Sequence, residues 1–155
     1  MSRMREPLRP AHEGARAGTA ASHERRPERR RRRCRATSRR VTTYLDGFRK
    51  SDHEQILSCL TDDIEWTVFG AFHLTGKEAY DKAIDGPPEL LDPPRLEVVR
   101  MVEQGDVVMA ELTGTVERAA GGEMRMSMAE VFVMRDGKIA ERRAWVVELK
   151  ENDYR

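Results

Sequence analysis

Residues 124–139 read MRMSMAEVFVMRDGKI. Taking every second residue gives Met124, Met126, Met128, Glu130, Phe132 and Met134, so five of the six are large and apolar. A period of two marks a strand with one buried side. Asp136-Gly137 is a hairpin-turn pair, and KIAERRAWVVELK after it supplies the returning strand. The same reading runs backward along the chain. VVMAELTGTVER (107–118) leads into the methionine strand through Gly121-Gly122, and RLEVVRMVEQ (95–104) leads into it through Gly105-Asp106. Long strands joined in succession by tight turns predict an antiparallel meander.

Upstream the period changes. Apolar residues at 41, 44, 45 and 48 make a helical stripe in TSRRVTTYLDGFRK, weakened by Gly47. Ser51-Asp52-His53-Glu54 has the pattern of a capping box and predicts a second short helix through Cys59–Leu60, ended by Thr61-Asp62-Asp63. IEWTVF (64–69) alternates and predicts a strand. Thr75-Gly76-Lys77-Glu78 repeats the capping pattern and opens a third helix to about Ile84. Gly86-Pro87-Pro88 and Asp92-Pro93-Pro94 bracket a loop. Helices first and sheet last make the class α+β, with a curved antiparallel sheet wrapped around three N-terminal helices.

The charge is split unevenly. Residues 1–40 hold 14 Arg and no Lys against 4 Glu, whereas residues 41–155 hold 14 Lys plus Arg against 23 Asp plus Glu. Residues 1–36 carry almost no large apolar side chains and are expected to be disordered, with the domain occupying 37–155. The run Arg29–Arg33 is the one feature suited to nucleic acid, but it lacks the interleaved aromatics that stack on bases. An extension without a role is the simpler reading, and a nucleic-acid partner is not expected. No apolar run is long enough for a membrane span. Cys34 and Cys59 suggest neither a disulfide framework nor a metal motif, so a reducing cytoplasm is the expected compartment.

Glu130 is the anomaly on the methionine side of its strand. An unpaired buried carboxylate is costly, so it must be paired, protonated or set in a wet pocket. A two-residue turn at Asp136-Gly137 places Arg143 across from it; a three-residue turn with Gly137 as a bulge places Arg142 there. Either arginine is close enough to meet the acid. The pair is then a structural ion pair, or the polar anchor of an otherwise apolar pocket. Ala129, Val131 and Val133 make the other side of the strand partly apolar too, which suggests that a second copy of the chain covers it.

The order of elements resembles the nuclear transport factor 2-like superfamily. Its SnoaL-like branch, to which ketosteroid isomerase is related, is the most similar. The likeness is carried by YLDGFRKSDHEQILSCLTDDIEW, GAFHLTGKEAY, GDVVMAELTG and AEVFVMRDGKIAERRAW, in that order, over about residues 37–150. The resemblance implies a cone with a hydrophobic cavity, often a homodimer joined through the sheet. It implies an isomerase, cyclase, hydrolase or dehydratase, or a member without activity, and no metal or cofactor is expected. Tyr44 resembles the first-helix tyrosine that holds the substrate oxygen in ketosteroid isomerases, and Glu130 resembles their strand acid. Their proton-moving aspartate should lie just after IEW, where this chain has Thr67, Val68 and Phe69. His73 is the nearest group able to carry a proton near neutrality. The expected site is therefore Tyr44, Glu130 and His73, with Arg142 or Arg143 beside the acid. Trp66, Phe69, Phe72, Met128 and Val146 are the expected walls around a small apolar ligand.

Overall fold

The computed structural model describes residues 25–150. Helix α1 runs Arg25–Lys50, α2 His53–Ser58 and α3 Lys77–Ile84. The strands are β1 (Leu60–Val68), β2 (Phe72–Thr75), β3 (Leu90–Gln104), β4 (Val107–Arg118), β5 (Glu123–Arg135) and β6 (Lys138–Leu149). They form one sheet in the order β2-β1-β6-β5-β4-β3. The meander β3–β6 is antiparallel throughout, and β1 joins its β6 edge in parallel. This is the α+β architecture expected from the sequence. The sheet curls, and the apolar stripe of α1 packs into its hollow. Val41, Tyr44, Leu45 and Phe48 are buried there with Leu112, Met128 and Phe132 from the strands.

Helix α1 opens at Arg25, ahead of the domain start expected at residue 37 and within the extension expected to be disordered. Arginine and alanine are good helix formers, and lengthening a helix is cheap once its nucleus exists. The remainder of that expectation, residues 1–24, lies outside the described residues, as do residues 151–155 of the expected domain.

The cap of α2 is Asp52, whose carboxylate accepts from the Gln55 N–H at 2.9 Å, rather than Ser51. Helix α2 ends at Ser58, and Leu60 already belongs to β1. Helix α3 starts behind Gly76 with no side-chain cap, because Thr75 is the last residue of β2. The short strand β2 was not foreseen, and Pro93-Pro94 lie within β3 rather than in a loop. Proline cannot donate to a ladder, and the β3–β4 register slips between Leu91 and Arg95. Gly47 has a packing reason: a Cβ there would stand 2.7 Å from Ile56 Cγ1, so its absence lets α2 lie against α1.

One clasp ties the helices together. His53 Nδ1 lies 2.6 Å from Asp81 Oδ1, and His53 Nε2 lies 2.9 Å from Asp85 Oδ1. Hydrogen bonds to Asp81 and then Asp85 raise the imidazole pKa above its usual 6.5. A folded-state value above the unfolded one means that the contribution is complete below about 6.5. It is lost as the pH rises through the folded value. The histidine side chain is 35% exposed, so solvent screening keeps the effect small. Between about pH 6 and about pH 8 the melting temperature is expected to fall, and His53→Gln should flatten that slope in a series of thermal melts. An unchanged slope in the variant would remove the clasp from the explanation.

Candidate functional site

Strand β5 turns Met126, Met128, Glu130 and Phe132 into the hollow; Glu130 is only 2% exposed. Its arginine partner is set by an irregularity in β6. The turn at Asp136-Gly137 has two residues, both at positive φ, and Met134 pairs with Ile139. Before the next pair the register slips, so that Val133 faces Glu141 and Ala140 is the extra residue. Ile139 and Ala140 are consecutive and both buried, as a bulge requires. Beyond it, Glu130 faces Ala144 while Arg142 faces Phe132. Neither expected register holds: the acid lies directly opposite an alanine.

Arg142 reaches Glu130 on the diagonal instead. Its Nε donates to Oε2 at 3.0 Å and its Nη2 to Oε1 at 2.6 Å, a two-pronged contact. Its Nη1 donates to the Tyr80 hydroxyl at 3.2 Å, and that hydroxyl is hydrogen-bonded to the Tyr44 hydroxyl. Aromatic rings box the guanidinium, whose carbon lies 4.4 Å from the Trp66 ring centre, 5.2 Å from Phe48 and 5.5 Å from Tyr44.

Burial works against the charge on Arg142. The carboxylate of Glu130 and the hydroxyls of Tyr44 and Tyr80 outweigh it and hold the guanidinium pKa well above its ordinary value. Burial also raises both tyrosines, against a lowering by Arg142, so their hydroxyls stay protonated. Arg142 is thus a fixed cation beside two protonated hydroxyls.

The ion pair opens onto a cavity of about 780 Å³. Its walls are mainly apolar: Phe48, Ile84, Trp66, Val116, Met126 and Met128 are buried residues of its lining, to which Asp85 and Glu148 add carboxylates. Phe69, Phe72, Leu91 and Val146 line it too and are exposed, forming its mouth. Of the residues expected at the site, Trp66, Phe69, Phe72, Met128, Glu130, Arg142 and Val146 line this space. Three are elsewhere. Tyr44 is fully buried behind Tyr80 and does not line the cavity. His73 is exposed on β2, with Nδ1 2.8 Å from Thr67 Oγ1. Arg143 points to the outer face, 3.4 Å from Glu141, because neighbouring strand residues alternate sides.

Tyr80, the residue between Tyr44 and Arg142, went unread in the sequence. A signal existed: Tyr80 and Ile84 stand four apart in KEAYDKAI, on one face of α3, and both are buried. Among the described residues no group of three His, Cys, Asp or Glu side chains could hold a metal ion, and no helix is long and apolar enough to cross a membrane.

Residues 41–142, which contain the end of α1, α2, α3, strands β1–β5, the start of β6 and the ion pair, match the SnoaL-like domain. The chain belongs to the SnoaL-like family. No curated protein matches the sequence. Among solved structures, this SnoaL-like chain is similar to an LEH-like epoxide hydrolase from M. tuberculosis, with a TM-score of 0.66 and 17% identity over 74% of this chain and 85% of that one. It is similar to a ketosteroid isomerase-type protein from Kribbella flavida, with a TM-score of 0.65 and 17% identity over 78% and 84%. It is also similar to TerC co-crystallised with polyporic acid, with a TM-score of 0.64 and 26% identity over 70% and 89%. At these identities the first two show that the SnoaL-like fold is shared with the nuclear transport factor 2-like group, and nothing finer.

Proposed function

We propose that this SnoaL-like protein binds a small apolar compound bearing a carbonyl or hydroxyl oxygen, and that the oxygen sits against the Glu130–Arg142 pair. The observation that carries the proposal is a buried, two-pronged ion pair opening onto a mainly apolar cavity of about 780 Å³. A cavity of this size with few convergent polar groups is the usual form of a small-molecule site. TerC, the relative co-crystallised with polyporic acid, gives the same reading some support.

The chemistry fits charge stabilisation better than proton abstraction. Arg142 can hold negative charge building on a ligand oxygen without reorganising, because Glu130 and Tyr80 already fix it. At the position where the isomerases place their aspartate stand Thr67, Val68 and Phe69, and His73 lies outside the cavity. A step of the isomerase, cyclase or hydrolase type would therefore draw its proton transfer from the ligand or from water, in the cytoplasm.

A second reading is a non-catalytic dimeric module joined through the sheet. Its support is the outer face, where Met109 (55% exposed), Trp145 (43%) and Val147 (58%) stand on strands near one another. Native mass spectrometry of gently purified protein tests both readings together. The expected result is an added mass of one organic compound per chain, released on denaturation. A dimer that never carries or takes up a compound would favour the second reading and overturn the first.

A further inference from the structure

Strand β4 turns Val108, Ala110, Leu112, Gly114 and Val116 toward the hollow, and all of them are buried. Gly114 is the odd member. Its φ is not positive, so the backbone there does not call for glycine. A glycine inside a strand weakens it and packs nothing, and it often marks a place that another group must approach closely.

The register shows what approaches. Gly114 stands between Leu96 on β3 and Met126 on β5, and Met128 is the next inward residue along β5. A Cβ at position 114 would lie 3.0 Å from Met128 Cε, 3.1 Å from Leu96 Cδ2 and 3.2 Å from Met126 Cε. All three atoms are side-chain ends. Leu96, Met126 and Met128 line the cavity of about 780 Å³, and Gly114 is not part of that lining. The missing side chain is therefore a notch behind the cavity wall, and the ends of three wall residues rest against it.

Filling the notch would move the wall. Carbon atoms pack best at about 3.5–4.0 Å, so an added methyl group forces these ends to shift. Protein interiors are close-packed, which leaves the cavity as the open space beside them. Methionine is unbranched and turns about three bonds, so its end can swing inward while the strand stays in place.

We infer that Gly114 is a positioning residue that sets how broad an apolar ligand the cavity admits. It touches no ligand and acts through Met126 and Met128, whose methyl ends it lets lie back from the cavity. The inference rests on the reading of the cavity as a small-molecule site and adds the residue that fixes its width.

The test uses the full-length chain with ¹³C-labelled methionine methyl groups and two ketones of equal carbon count, linear 2-decanone and the cage compound 2-adamantanone. Titrations follow the Met126 and Met128 methyl signals by NMR, assigned with Met126→Leu and Met128→Leu. Both ketones are expected to shift these signals in the wild type. Gly114→Ala should weaken 2-adamantanone by about tenfold, the lower end of what one methylene decides in an apolar pocket, and leave 2-decanone within about threefold. Shortening the displaced wall should reverse the effect. Gly114→Ala combined with Met128→Val, which removes the tightest contact, is expected to bind 2-adamantanone within about threefold of the wild type. The double variant carries the test if Gly114→Ala alone folds poorly. Equal weakening of the two ketones, unchanged binding of 2-adamantanone, or no recovery in the double variant would overturn the inference and leave the cavity reading intact. A wild-type chain that binds neither ketone would overturn the cavity reading, and the inference with it.

Discussion

Glu130→Gln is expected to destabilise the protein by about 3 kcal/mol, read from urea unfolding. Glu130 is 2% exposed and Arg142 7% exposed, and the carboxylate receives both prongs of the guanidinium. An amide of the same shape offers one acceptor oxygen and turns an NH₂ group toward the other prong. Arg142 then stays charged in a buried site, because a guanidinium does not lose its proton near neutral pH. An uncompensated buried charge of this kind costs more than the intact pair contributes. Replacing both partners by apolar residues should recover most of the loss, so Glu130→Leu combined with Arg142→Met is expected to be nearly as stable as the wild type. The double variant would lack any anchor for a ligand oxygen. A loss below about 0.5 kcal/mol for Glu130→Gln would mean that the pair is solvated and the site misread.

Tyr80→Phe is expected to cost about 2 kcal/mol, and Tyr44→Phe clearly less. The order follows from the wiring. The Tyr80 hydroxyl accepts from Arg142 Nη1 at 3.2 Å and is bonded to the Tyr44 hydroxyl. Removing it leaves two buried groups short of a partner. Removing the Tyr44 hydroxyl leaves Tyr80 still bonded to Arg142. Both rings stay in place, so packing changes little, and the two urea midpoints can be compared directly. Equal losses, or a larger loss for Tyr44→Phe, would contradict the arrangement in which Tyr80 stands between Tyr44 and the arginine.

The long strands were legible because a period of two and glycine-bearing turns leave few alternatives. The methionine strand, its inward face and the placing of Glu130 on that face all followed from it. The walls Trp66, Phe69, Phe72, Met128 and Val146 were legible for a similar reason, being large apolar residues at the ends and inner faces of strands. Three assignments were not. Tyr44 was placed at a ligand by its position on α1, but what stands before it depends on α3, and contacts between distant elements leave no local trace. His73 was chosen by sequence distance from β1, whereas β2 folds back and carries it to the outside. The arginine partner was sought directly opposite the acid, and the side-chain reach that decides it is diagonal. The capping boxes failed for a backbone reason. Ser51 sits at positive φ and Thr75 still pairs in β2, so neither occupies the cap position.

The extra residue in β6 also governs how relatives of this protein can be compared. From Ala140 onward the strand is out of phase with the hairpin that precedes it. A homologue with the same turn but one residue fewer would present its counterpart of Arg143 to the interior and its counterpart of Arg142 to solvent. Two such proteins aligned by counting from the Asp136-Gly137 turn would seem to share an arginine while using opposite members of the pair. Equivalence in this part of the family has to be judged by which way a side chain faces, and the length of the strand settles that before the identity of any residue does.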